Sequence, residues 1–501
     1  MKIFRHFKWL FLAAMLVLSA CKKDDNKQAT PVAEPPDEVL EKEVLTADAG
    51  PDHNVAMNDE VILDGTASKS NLGNPFKFKW TIIRKPEGSV SVIVKSDAAI
   101  ANFSPTTLGQ YEIELIISNA SGQSADRVII NAGAAETQII DSDFTSPISL
   151  PDLIPDSEKP DYIVTKDISI NSDLQINAGV VMAFEKDVRL EVNEGGSLAV
   201  LGGPNKKVVF TGVEKIKGSW KGIVFFSSSP QNLLEHVEIW YGGKKTSVSS
   251  YNAALTLYGQ TKAKLSLKNT LIAESGGIGL PVSPGSVIKE FSNNLFSNNS
   301  GSGIYLDAPN VRYLDKASKF IGNGRNLVEV MQSSINNSYG SPETWQGFDD
   351  HTPYLVSGEL TINTGLELKP GVVIQLAKDV TVVINTEGYI NAKGLFGNPI
   401  VFTGYNKTPG YWNGIRVNSQ IALNEWEFVE ISYAGSGSLV SGKKASVGLT
   451  GPGTNLFIKN SKINNSGGYG IFVGRGSDFR DEVYNENTFQ NNALDHVFYE
   501  K

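Results

Sequence analysis

Apolar and polar residues alternate along this chain in short bursts, and almost nowhere do apolar positions recur at the spacing of an amphipathic helix. In Gln110-Tyr-Glu-Ile-Glu-Leu-Ile-Ile-Ser118, Tyr111, Ile113, Leu115 and Ile117 share one side while Gln110, Glu112, Glu114 and Ile116 share the other, the period of a strand with one buried face. Similar runs at 60–65, 76–82, 89–94 and 127–130, separated by turn signals such as Asp64-Gly65 and Ser121-Gly122, predict a β-sandwich over residues 45–133.

From residue 161 onward the runs are shorter, three to six residues, and are broken by Gly, Asn, Asp or Ser. No crossover helices are available to join parallel strands in the usual way. At an offset of 192, Gly179-Val-Val181 meets Gly371-Val-Val373, Val209-Phe-Thr-Gly212 meets Val401-Phe-Thr-Gly404, and Trp220 meets Trp412. At nearby offsets Lys268-Asn269 meets Lys459-Asn460, and Asn294, Phe296, Asn298 and Asn299 meet Asn487, Phe489, Asn491 and Asn492. This is an internal duplication, with a first half at 161–353 and a second at 354–501. The pattern suits a parallel β-helix of about 20 to 25 residues per coil, roughly fourteen coils in all. Asn269 and Asn460 are expected at bends, where asparagine tolerates left-handed geometry.

Several stretches carry family resemblances. Ala49-Gly50-Pro51-Asp52, Val61-Ile-Leu-Asp-Gly-Thr-Ala-Ser68, Phe78-Lys-Trp80 and Leu108-Gly-Gln-Tyr111 resemble a PKD domain, which implies an Ig-like spacer or weak-ligand module of the kind found on bacterial surface proteins. Trp220-x-Gly222-Ile223, Asn232-x-x-Glu-x-Val-Glu-Ile239 and Ser466-Gly-Gly-x-Gly-Ile471 resemble the right-handed parallel β-helix repeats of surface lipoproteins, the pectin-lyase-like fold. The expected fold class is therefore all-β, an Ig-like β-sandwich followed by a right-handed parallel β-helix made of two duplicated halves.

The N-terminus changes the picture of where such a protein works. Lys2, Arg5 and Lys8 precede an apolar run from Trp9 to Leu18, about half the ~20 residues needed to span a bilayer. Small residues follow, so residues 1–20 read as a signal peptide. Leu18-Ser19-Ala20-Cys21 resembles the lipobox of bacterial lipoproteins, which implies lipid attachment at Cys21. Lys22-Lys23-Asp24-Asp25 resembles the stretch that routes some of these to the outer face of the outer membrane. Residues 21–44, polar and poor in aromatics, read as a disordered tether.

Cys21 is the single cysteine, which excludes a disulfide framework or a thiolate metal site. The net charge is −9, and becomes −12 once residues 1–20 are removed. No nucleic-acid partner is expected of so acidic a chain; the expected partners are the membrane, through the lipid, and a polysaccharide or surface protein.

Candidate chemistry is sparse. A polygalacturonase-like site would need Gly-Asp-Asp, Gly-His-Gly and Arg-Ile-Lys on successive coils, and none is present. Asp349, Asp350 and His351 are the nearest approach, but adjacent aspartates in a strand point to opposite sides. Asp141, Asp143, Asp152, Asp156 and Glu158, among prolines in 134–160, raise the question of calcium. Their spacing matches no calcium loop, so the segment reads as an acidic linker and no cofactor or metal is expected.

Positions identical between the halves, Trp220/Trp412, Gly222/Gly414, Ile239/Ile431 and Tyr241/Tyr433, are apolar or glycine and describe shape. Function is sought where the copies differ: Val224/Arg416, His236/Phe428 and Trp240/Ser432. Trp240, Lys244, Lys245 and Arg416 are thus the candidate ligand-binding residues, an aromatic with cations being a common platform for a sugar ring. The expected role is a lipid-anchored surface protein that binds glycan or another envelope partner without catalysis. The alternatives are a polysaccharide lyase or hydrolase with an unrecognised site, and a structural assembly module.

Overall fold

The computed structural model describes residues 42–134, 136–154, 156–244, 251–336, 342–480 and 486–501. Cys21, the signal segment, nearly all of the tether and Lys245 lie outside the described residues.

The sandwich packs a sheet ordered His53–Ala56, Gly122–Gly133, Gly109–Asn119, Lys77–Arg84 against one ordered Val61–Asp64, Ile100–Phe103, Ile93–Val94. Tyr111, Ile113, Leu115 and Ile117 are buried with Trp80 and Phe103, as their alternation requires. The run 89–94 departs from expectation, since only Ile93–Val94 forms a strand. Ser89 and Ser91 are buried while Val90 and Val92 are 76% and 68% exposed. Hydrogen bonding outweighs hydrophobicity there: the Tyr111 hydroxyl lies 3.0 Å from Ser89 Oγ and accepts from Thr107 N at 2.9 Å, and Thr106 N donates to Ser91 Oγ at 2.8 Å. A buried hydroxyl left unpaired would cost more than two exposed valines.

The remaining chain is a three-faced parallel β-helix. On its first face one inward column runs Tyr162, Met182, Phe210, Ile239, Ile272, Phe296, Phe320, each paired in register with the next. The steps of that column are 20 to 33 residues, wider than expected, because loops leave the coil at different corners. Aromatic stacking reinforces the interior, with Phe184 on Trp220 at 4.2 Å and Phe296 on Phe320 at 5.1 Å.

Residues 134–160 are not simply a linker. Gln138–Ile140 pairs with Tyr162–Val164, Ile148–Leu150 pairs with Leu174–Ile176, and Phe144 bridges Ile170. The segment supplies a first coil. Three of its acids, which had masked its short apolar triplets, go to separate partners: Asp143 accepts from Ser169 N at 2.8 Å, Asp152 pairs with Lys206 at 2.7 Å, and Asp156 pairs with Lys159 at 3.7 Å.

The two halves of the sequence are turned relative to each other by one face. The second-face strand Leu255–Leu257 passes through the bridges Ala253–Ile278 and Leu257–Val282 to Leu280–Pro281, which begins a nine-stranded sheet. That sheet contains Tyr354–Val356, Val373–Leu376 and Val429–Ser432, the sequence counterparts of first-face strands. Meanwhile the first face runs on past Phe320, which meets Phe348 at 5.3 Å. The third face is carried over by the short helix Ala308–Val311, where Asn310 Oδ1 accepts from Ile288 N and Ala308 N donates to Ser333 Oγ, both at 3.0 Å.

Asn269 (φ 49°) and Asn460 (φ 51°) occupy the left-handed bends expected of them. The buried asparagines Asn294 and Asn487 are equivalent in bonding as well as in sequence. Each accepts from a backbone N–H of the preceding coil (Thr270, 3.0 Å; Ser461, 2.9 Å) and donates to a carbonyl (Leu267 and Ile458, both 3.0 Å).

Candidate functional site

Outward residues of the first face are small or apolar over several coils, so the early part of that face is a smooth floor: Ile163, Val181, Ala183, Val209, Thr211. Asp152, Ile154, Ser157, Glu158 and Pro160 stand along it as one wall. Asp161, fully buried, holds that wall, its carboxylate accepting from Leu153 N at 2.7 Å, Ile154 N at 2.6 Å and, from the neighbouring coil, Val181 N at 2.7 Å. The turn carrying Pro204 to Lys207 lines the same depression, and Lys206 reaches Asp152 at 2.7 Å.

Two adjoining cavities of about 550 Å³ and 560 Å³ result, sharing Ser157, Val181, Val209 and Glu238. Trp240 and Tyr241 lie in the first, with ring centroids 6.0 Å apart. Glu238 organises the floor. Its Oε2 accepts from Trp240 Nε1 at 3.0 Å, and its Oε1 meets Lys207 Nζ at 2.7 Å. Two residues apart on one strand, Glu238 and Trp240 share a side, so the indole is fixed in orientation by a carboxylate that a lysine already neutralises.

The expected ligand-binding residues are not brought together. Trp240 is in the groove. Lys244 is not among its lining residues and pairs with Asp187. Arg416 belongs to a different sheet, between Val383 and Gly448, with its Nε buried and unbonded. Val224, a position where the copies differ, is buried and presents nothing to a ligand. Trp240 and Arg416 could not share a face in any case, because within one copy Val224, the counterpart of Arg416, already lies on the second-face strand Gly222–Phe225 and Trp240 on the first-face strand Val237–Trp240.

Asp349, Asp350 and His351 form a turn. Asp350 accepts from Thr352 N at 3.0 Å, Asp349 is an exposed partner of Lys316 at 3.5 Å, and His351 has φ 59°. No convergent acid and base arise there. Among the described residues no group of three or more His, Cys, Asp and Glu is placed to hold a metal ion. Glu343 is a buried acid pushed up to about 7 by burial, with Asp307 adding to the rise and Arg312 opposing it. It stands next to the helix Ala308–Val311 at the joint between the halves and not in the groove.

Glu238, Lys206 and Lys207 were missed, and Asp152 was weighed only as a calcium ligand. Glu238 had a signal, its i−2 spacing from Trp240. The lysines, 31 or more residues away, had none without the coil register.

A family model described as a pectate-lyase-like β-helix domain matches residues 344–445. No curated protein matches the chain. Among solved structures the chain is similar to a nucleoside hydrolase-related protein from Saccharophagus degradans that is associated with carbohydrate metabolism, at 20% identity over 18% of this chain and 25% of that one, with a TM-score of 0.17. It is also similar to the PKD domain of the KIAA 1837 protein, at 24% identity over 18% of this chain and 91% of that domain, TM-score 0.15. A third likeness is to a Bacteroides fragilis protein described as an alpha-galactosidase, at 12% identity over 29% and 45%, TM-score 0.14. This chain thus spans a quarter of the first protein and under half of the third.

Proposed function

We propose that this protein is a lipid-anchored surface protein whose β-helix binds a neutral glycan, without turnover, along the first-face groove. The observation that carries the reading is the Trp240 indole, locked by Glu238 above a flat apolar floor where Lys207 and Lys206 pair with Glu238 and Asp152, and where Glu158 and Lys215 add one charge of each sign. An aromatic platform takes the CH-rich face of a sugar ring, and the amide and hydroxyl groups of Asn205 and Ser157, with Thr211 in the floor, suit its hydroxyls. Lys206 and Lys207 are already paired with Asp152 and Glu238, so no row of free cations awaits a uronate chain. That favours a neutral polymer over pectate. The same pairing occupies Glu238 and Asp152 and leaves Glu158 as a single free carboxylate among the described lining residues, whereas hydrolysis asks for one protonated acid and one free carboxylate across the scissile bond.

In this reading Cys21 carries the lipid, residues 22–44 and the sandwich hold the β-helix away from the outer membrane, and the groove faces outward. The decisive experiment is calorimetry of the mature chain with neutral and uronate hexasaccharides, with product analysis of the same mixtures. Binding of a neutral chain that weakens at least roughly tenfold in Trp240→Ala, with no product released, is the expected result. Turnover would make the protein a lyase or hydrolase, and selective uronate binding would overturn the ligand class. Anchoring is checked by labelling whole cells with an impermeant reagent, comparing wild type with Cys21→Ser.

A further inference from the structure

We infer that the second half carries its own neutral-glycan site, centred on Phe396 and Glu430, on a different face of the rod from the first groove. This rests on the glycan reading of the Trp240 groove and extends it to a second locus.

The turn that walls the first groove recurs. The bridge between Gly203 and Lys206 is repeated between Leu395 and Asn398, with Leu395 N donating to Asn398 O at 3.1 Å and Asn398 N to Leu395 O at 2.9 Å. Gly397, at φ 84°, completes the tight turn in a conformation other residues resist. At its tip, in place of Pro204, stands Phe396, 92% exposed. A rigid two-residue turn presenting a bare phenyl ring has no folding rationale, since nothing is buried by it.

Beside that ring a cavity of about 490 Å³ is lined by Phe396, Phe428, Glu430, Asn460 and Lys462 among others. Glu430 is the counterpart of Glu238 and is again neutralised, by Lys462 at 2.6 Å. The lysines are not counterparts: Lys207 corresponds to Pro399, and Lys462 comes from the coil after Glu430 instead of the one before Glu238. Each copy has reached the same ion pair through a different residue. The shared chemistry is a Glu–Lys ion pair, an aromatic face and an amide, with the further carboxylate Glu486 in the second lining; that leftover negative charge repels a uronate and leaves the uncharged hydroxyls of a neutral sugar as the fitting partner.

Seven turns and one face separate Glu238 from Glu430, about 35 Å along the axis at ~4.8 Å per coil. One straight chain cannot occupy both grooves. Two oligosaccharides can bind independently, and a long polymer gains avidity from engaging both.

The test is calorimetric titration of the mature chain with neutral hexasaccharides drawn from β-glucan, xylan, mannan and galactan. Two sites per chain are expected for at least one of them, with Phe396→Ala and Trp240→Ala each removing one and leaving the thermal midpoint unchanged. A stoichiometry of one, lost in Trp240→Ala and untouched in Phe396→Ala, overturns the second site and leaves the first. A stoichiometry of one with the opposite pattern upholds the Phe396 site and removes the Trp240 reading. No binding of any of the four overturns both.

Discussion

Trp220, buried in the rod, donates its indole Nε1 to the carbonyl oxygen of Trp240 at 2.8 Å, and Trp412 does the same to Ser432 at 2.8 Å. An unchanged core residue therefore fixes the backbone at a place where the side chain changed between the copies. The scaffold holds position 240 whatever side chain it presents. Trp240→Ser is accordingly expected to keep the fold within about 0.5 kcal/mol while weakening oligosaccharide binding. Trp220→Phe keeps an aromatic ring against Phe184 but orphans the Trp240 carbonyl, and should cost about 1–2 kcal/mol. Chemical denaturation and calorimetry on the two variants separate these effects.

Asp161 satisfies three backbone N–H groups and thereby holds the wall of the groove. Asp161→Ala should free the 152–158 segment, making it the first site of limited proteolysis, and should weaken binding without touching Trp240. A protease digest whose first cut falls elsewhere would show that the wall is held by other contacts.

Gly222 has φ 103°, and a Cβ there would lie 2.5 Å from Ala254 O and 2.6 Å from Ala253 O. Gly222→Ala is expected to destabilise by at least about 2 kcal/mol, since both contacts are backbone and cannot yield. Gly203→Ala, with nothing within 4 Å and no positive φ, is the control and should be close to neutral by thermal unfolding.

Burial is the main reason Glu343 is pushed up from 4.5 to about 7. The folded state then holds the proton more tightly than the unfolded one. Its contribution to stability is fully present below the unfolded value of about 4.5 and is lost as pH rises through about 7. Wild type should lose on the order of 3 kcal/mol between pH 4.5 and 8 from this group. Glu343→Gln should flatten that slope and be the more stable protein at pH 8. Parallel denaturation curves of the two proteins across this range check the sign.

Tyr111, Ile113, Leu115 and Ile117 were legible as an inward row because alternation within one strand is local. Asn269 and Asn460 were legible as bends for the same reason. Ser89 and Ser91 were not, because a buried hydroxyl network with Tyr111 and Thr106 overrides the apolar pattern and is set by residues 15 to 22 positions away. The first coil was hidden because Gln138–Ile140 and Ile148–Leu150 are too short to stand out among acids and prolines.

By itself the sequence determined the sandwich, the duplication and the winding of short strands into a parallel coil, since strand period and repeat offset are written in neighbouring letters. Only the tertiary structure decided which face each copy occupies and which side chains meet. Coil length varies from 20 to 33 residues along the Tyr162–Phe320 column, so a contact such as Lys207 with Glu238 depends on how much chain each loop spends before the next strand returns. Seven turns and a third separate Trp240 from its counterpart Ser432 and put the two on different faces, a displacement that no comparison of the two copies as text can register.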